Sequence, residues 1–198
     1  MPVLDCQTEQ HILDTAMNLI FSKGNLNATN QQIADEAGVN RTLINYYFRS
    51  KEVLIKKLMT KALKELLHTN NKILSSDLPV KQKTEKFIDA SLNRQMKYPF
   101  LEPFITFRQL EDRFQNKNKL PKKSPAEFLQ YMHQIDQAIQ SGEITATTAA
   151  HFVTNLFSLM HYPLVAKNLL QGLLEMEEKV YDTLLEDRKK EIMSVLFS

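Results

Sequence analysis

Apolar residues recur along the chain at helical spacing, in runs separated by capping and turn-forming residues. From His11 to Lys23, Ile12, Ala16, Leu19 and Ile20 share one face, and Gly24 closes the run. Thr29 then fits an N-cap, with Gln32 three residues on as its capping-box partner. Ile33, Ala34 and Ala37 make the next apolar stripe. Gly38 stops that helix where a positive φ is expected, which costs glycine little. Asn40 fits a second N-cap. Ile44 and Phe48, one turn apart, should point inward with Val39. Arg41, Thr42, Asn45 and Tyr46 are left for other faces, and Ser50 can cap a helix opening at Lys51.

Beyond that point the pattern predicts further helices. One runs from Lys51 to about Leu74 and ends at Ser75-Ser76-Asp77. Pro79 opens another that stops near Tyr98-Pro99, and Leu101 to about Phe114 forms the next. Residues 116–125 read as a loop rich in lysine, asparagine and proline. Pro125 starts a helix capped by Ser124 and ending at Ser141-Gly142. Thr145 to about Gln171 is a long apolar pattern, and Glu175 to Phe197 is the last helix. No run of alternating β-branched residues argues for a sheet, and four glycines with no tryptophan suit an all-α chain.

Composition changes this picture little. At 43% hydrophobic and 24% charged, the 198 residues are ordinary for a globular protein. Net charge is only +2, but its placement is uneven. The first 50 residues set Lys23, Arg41 and Arg49 against Asp5, Glu9, Asp14, Asp35 and Glu36. Arg41, Arg49, Lys51, Lys56, Lys57 and Lys61 then oppose only Glu52, a local positive stretch. Cys6 stands alone, which excludes an internal disulfide framework and a cysteine zinc site. The five histidines show no HExxH or HxxxH spacing, and no GxSxG or phosphate-cradling glycine loop is present. No enzyme activity, metal or cofactor is expected. Leu156 to Ala166 is the most apolar stretch and is too short for a bilayer. With no secretion signal either, no membrane partner and a cytoplasmic location are expected.

Two short helices joined by Ala37-Gly38-Val39-Asn40, the second with an exposed polar face, suit entry into a DNA major groove. The residues Ile33-Ala34, Ala37-Gly38-Val39-Asn40, Ile44, Tyr47-Phe48, Ser50-Lys51-Glu52 and Leu54 together resemble the TetR family of bacterial transcription regulators. The close resemblance covers roughly the first quarter of the chain. It implies an N-terminal three-helix DNA-binding domain over residues 1–50, and a helical domain over 51–198 for ligand binding and dimerisation. It also implies a one-component regulator, by family habit a repressor, acting on palindromic double-stranded DNA.

By the same resemblance, Thr29, Arg41, Tyr46, Tyr47 and Lys51 sit where family members touch phosphates or base edges. Asn40, Thr42, Leu43 and Asn45 complete the candidate DNA-facing set. Where this chain has Asn45 the family usually has tyrosine. It often has a small residue at Thr42 and threonine at Leu43, so no operator carries over. Asn45 can pair bidentately with adenine, or meet a phosphate or water; Leu43 can touch a thymine methyl, or join the edge of the core.

In the second domain, Phe152, Leu156, Leu159 and Met160, and then Val180, Leu184, Ile192 and Leu196, offer more apolar surface than one small bundle hides. A homodimer through the last two helices follows, as the resemblance also implies. Met96, Phe100, Phe104, Phe107, Phe128, Tyr131, Phe157, Met160 and His161 are candidate walls for a largely apolar small-molecule effector, or plain core. Pro163 should kink its helix and free carbonyls beside that site. A DNA-binding protein of the same fold with no effector is the alternative.

Overall fold

A computed structural model describes residues 6–114 and 125–197, so residues 116–124 of the expected loop, with Ser124, lie outside the described residues. Among the described residues the chain is helical, with no strand. Its helices are α1 (Cys6–Met17), α2 (Asn30–Glu36), α3 (Arg41–Phe48), α4 (Lys51–Leu74) and α5 (Val80–Lys97). They continue with α6 (Leu101–Phe114), α7 (Ala126–Gln140), α8 (Ala149–Val165), α9 (Lys167–Leu173) and α10 (Glu178–Leu196).

The chain forms two units by packing. The first takes residues up to Leu67 and then Gln95–Phe107; the second takes His68–Arg94 and Arg108–Ser198. The sequence division at residue 50 follows the motif, whereas the packing units follow the cores. The first core gathers Ile12, Ala16, Ile20, Phe21, Ile33, Ala34, Ile44, Phe48, Leu54 and Leu58, all fully buried. These are the apolar positions of the α1, α2 and α3 stripes, closed over by the first turns of α4.

One feature of the first unit departs from the expected single helix between His11 and Lys23. The α-helix starts earlier, at Cys6, and after Met17 it widens into a π-helical turn over Asn18–Ser22. Lys23 N–H donates to Asn18 O at 3.0 Å, the wider spacing that defines this turn. The extra residue lets Leu19, Ile20 and Phe21 all be buried in succession.

The same turn receives the α5–α6 corner. Phe100 N–H donates to Phe21 O at 3.1 Å and Ser22 Oγ to Lys97 O at 2.8 Å. Phe104 meets the Phe21 ring edge-on at 5.4 Å. Gly24, at φ +76°, is the close approach: a Cβ there would lie 2.7 Å from the Phe100 ring.

The second core is built from Leu74, Phe87, Ile88, Ile135, Phe152, Leu156, Ile192 and Leu196 among others. The buried Lys83 and Thr84 of this unit are satisfied locally. Lys83, with no exposed surface, donates to Leu74 O at 2.9 Å, capping the end of α4, and to Gln134 Oε1 at 2.8 Å. Burial holds its ammonium below the ordinary lysine range, against the attraction of Asp77. Thr84 donates its hydroxyl hydrogen to Val80 O, so Tyr131 OH must donate to Thr84 Oγ1, at 2.5 Å.

The long apolar pattern from Thr145 to Gln171 divides into two helices. Thr148 caps α8 through His151 N, and the chain breaks at Ala166 rather than at Pro163, which lies inside α8. Lacking an N–H, Pro163 leaves the carbonyl four residues back, on Leu159, without its helical donor. Arg188 of α10 supplies one, its Nη2 lying 3.1 Å from Leu159 O. Tyr181 OH donates to Pro163 O at 2.6 Å. The carbonyls expected to open towards a ligand are therefore taken by α10.

Two stability tests follow. Gly38 also has a positive φ (+64°), but open space surrounds it. Gly38→Ala should cost about 1–2 kcal/mol for the backbone alone. Gly24→Ala should cost more by urea unfolding, and Phe100→Ala in the same chain should remove the excess; equal costs at both glycines would contradict the close approach. Arg188→Leu should cost about 1–3 kcal/mol by stranding the Leu159 carbonyl. That cost should shrink when Pro163→Ala restores an N–H, and an unchanged cost in the double-mutant cycle would contradict the replacement of a backbone donor by Arg188.

Candidate nucleic-acid interface

The helix-turn-helix is set by short-range chemistry. Thr29 and Gln32 form a reciprocal capping box at the start of α2, with Thr29 N–H donating to Gln32 Oε1 at 2.9 Å and Gln32 N–H to Thr29 Oγ1 at 3.2 Å. Asn40 Oδ1 accepts from Thr42 N–H at 2.8 Å and starts α3. Val39 N–H closes the turn onto Ala34 O at 2.9 Å. His11 ties α1 to this turn: its Nε2 lies 3.0 Å from the Ala37 carbonyl, so that nitrogen carries the hydrogen. Ser50 Oγ accepts from Val53 N–H at 3.3 Å at the start of α4.

Ile44 and Phe48 are wholly buried, which fixes the rotation of α3 about its axis. Arg41, Thr42, Asn45 and Tyr46 consequently face solvent, and so do Thr29 and Asn40. Leu43 and Tyr47 are half-buried, in keeping with a place at the edge of the core; Tyr47 packs against the first core and lies edge-on to Tyr46 at 5.3 Å. Lys51 is half-buried at the first position of α4.

The positive stretch read from the sequence is divided by the fold. Lys57 pairs with Glu9 and sits over the Phe48 ring, 5.1 Å from its centroid. Lys61 pairs with Asp14. Burial alone would raise the Asp14 carboxyl, but bonds from Lys61 and Gln10 outweigh it and hold the group below its ordinary range. Both lysines therefore neutralise acids of α1. The positive charge left at the ends of α3 and the start of α4 is that of Arg41, Arg49, Lys51 and Lys56, with Glu52 among them.

Two residues outside the expected DNA-facing set belong to this surface. Arg49 is the C-cap of α3 at φ +58° and ψ −44°, the centre of a tight γ-turn closed by Ser50 N–H on Phe48 O at 2.6 Å, a strained conformation for arginine. Asn30, at the first position of α2, donates from Nδ2 to Asn45 Oδ1 at 3.1 Å. Neither had a local signal, since one is a backbone conformation and the other a contact across 15 positions.

The candidate effector residues are split between the units. Met96, Phe100, Phe104 and Phe107 belong to the first; Phe128, Tyr131, Phe157, Met160 and His161 belong to the second. Met96 and Phe107 are exposed, and Phe100 lies on Gly24. Tyr131 and Met160 are core residues, while Phe157 stacks on His161 at 5.5 Å.

A family model described as "Bacterial regulatory proteins, tetR family" matches residues 12–58, from α1 into α4. The chain is similar to the HTH-type transcriptional regulator SrpR of Pseudomonas putida, 29% identical over 143 residues, or 70% of this chain and 64% of that protein. It is also similar to the HTH-type transcriptional regulator BetI of Brucella canis, 37% identical over 68 residues, or 33% of this chain and 34% of that protein. A solved TetR family transcription regulator from Marinobacter aquaeolei shares the fold, with a TM-score of 0.55 at 16% identity over 92% of this chain and 94% of that one. Residues 12–58 of this chain match the TetR-family helix-turn-helix segment.

The matched parts span 64% and 34% of the two curated relatives, so the likeness is strongest where the TetR-family helix-turn-helix lies. No helix among the described residues is long and apolar enough to cross a membrane. If this surface meets a duplex, Lys51→Ala should lower the slope of log affinity against log salt by about 1. Lys57→Ala should leave that slope nearly unchanged, because Glu9 already takes its charge. Equal changes for the two variants would place Lys57 on the DNA.

Proposed function

We propose that this chain is a one-component transcription regulator that binds palindromic DNA as a homodimer and represses until a small, largely apolar molecule releases it. The observation that carries the DNA-binding reading is the outer face of α3, where Arg41, Thr42, Asn45 and Tyr46 are exposed while Ile44 and Phe48 are fully buried. Thr29, Asn40, Tyr47, Lys51 and Arg49 flank this face with donors and charge suited to phosphates. Leu43 offers a methyl contact at its margin.

Dimerisation is supported by apolar surface on the last helices. Tyr162, Val165, Leu169, Leu173, Val180 and Val195 are large and exposed, with Leu173 at 70%. A single unit has no use for so much uncovered leucine and valine, whereas a two-fold partner covers it and sets two α3 helices on one palindrome.

Effector control rests on chain continuity. The backbone passes between the units at 67/68, 94/95 and 107/108, each time within a helix. A ligand that prefers one arrangement of the second unit biases the first through α4 and the 95–107 segment, which is fastened to the end of α1. A second reading, the same DNA-binding protein without an effector, is favoured by Tyr131, whose buried hydroxyl is already satisfied by Thr84.

Selection from a random duplex library with the purified protein tests the reading. The expected motif is a palindrome with half-site centres about 10 base pairs, or a small multiple, apart. Leu169→Asp with Leu173→Asp should yield a monomer by sedimentation and lose the palindrome. A folded, dimeric wild-type chain that selects no motif would contradict sequence-specific binding.

A further inference from the structure

We infer that Asn30 is a positioning residue that fixes which face of the Asn45 amide meets DNA, so that Asn45 reads a hydrogen-bond acceptor on a base edge. The inference rests on the DNA-binding reading of α3 and adds a specificity to it. Asn30 lies at the first position of α2, held by the Thr29–Gln32 capping box immediately before it. Its Nδ2 donates to Asn45 Oδ1 at 3.1 Å across the turn of the motif. Asn45 is exposed on α3, and among the described residues its own Nδ2 has no partner. One end of this amide is thus committed within the protein and the other is open to a ligand.

The direction of the bond follows from what is buried. Asn30 Oδ1 is enclosed and lacks a partner among the described residues. Reversing both amides would put the two hydrogens of Asn30 Nδ2 in that enclosed place. An acceptor with an open lone pair is the milder loss than two unmet donors. Asn30 therefore acts as the donor, and Asn45 turns its NH2 group outward.

The consequence for recognition is specific. Bidentate pairing with adenine needs Asn45 Oδ1 for N6–H and Nδ2 for N7. With Oδ1 turned to Asn30, Asn45 presents donors only. Guanine, with O6 and N7, and thymine, with O4, offer acceptors in the major groove; adenine sets an N6 donor, which repels an outward NH2, beside its N7 acceptor, and cytosine offers the N4 donor there. The base facing Asn45 should be guanine or thymine, and cytosine should be the most disfavoured.

Asn30→Asp tests this by reversing the bond. An aspartate can only accept, so Asn45 must donate inward and turn Oδ1 to the DNA. Aspartate in the first turn of α2 also suits the helix dipole. Library selection with the wild type should give guanine or thymine at the position that loses its preference in Asn45→Ala. Selection with Asn30→Asp should move that one position to cytosine or adenine and leave the rest of the motif in place. Asn30→Ala, which unlocks the amide without adding charge, should relax discrimination there about three- to tenfold, the scale of one hydrogen bond. An unchanged base at that position in both Asn30 variants overturns the inference while leaving DNA binding intact. A wild-type chain that selects no motif overturns the DNA-binding reading, and this inference falls with it.

Discussion

A helix of eight residues does not persist alone in water, so α3 exists only because the fold holds both its ends and one face. Asn40 caps its start. Ile44 and Phe48 sink into a core made by α1, α2 and the first turns of α4. Those two anchors determine everything else about the surface, because at 100° per residue they leave no freedom in where positions 41, 42, 45 and 46 point. The polar face is the remainder of a hydrophobic requirement. Its chemistry is then refined from the flank, where Asn30 of the neighbouring helix holds the amide of Asn45.

The same economy governs the charges. A count along the chain gives a basic stretch from Arg41 to Lys61, yet α4 turns Lys57 and Lys61 to Glu9 and Asp14 of α1. These pairs fasten the first helix rather than extend a field over the surface. What remains basic is small and lies at helix ends. Contacts from individual side chains thus have to supply what a broad positive patch supplies elsewhere.

What could be read from the sequence divides by the distance over which each interaction acts. The caps at Thr29 and Asn40, the positive φ of Gly38 and the limits of α4, α5 and α6 are local, and the structure has them where the residues indicate. The π-helical turn after Met17 had no signal, because it answers to the burial of Phe21 and to the corner at Phe100. Pro163 correctly marks a lost backbone donor, but the side chain that replaces it lies on another helix, at Arg188. The break came at Ala166, where no breaker residue stands. At the candidate site, the exposed face of α3 was legible from the Ile44–Phe48 spacing. The Asn30–Asn45 bond and the backbone of Arg49 were not, since they depend on how two helices meet.

The central claim is that the outer face of α3, framed by the starts of α2 and α4, is where DNA meets this chain. Titrating a selected duplex into isotope-labelled protein and following backbone amide shifts tests it directly. The largest shifts should fall on Thr29, Arg41, Thr42, Asn45, Tyr46 and Lys51, with Ile33 and Ala34 nearly still. Shifts concentrated in the second unit, with the amides of α3 unmoved at saturation, would contradict it.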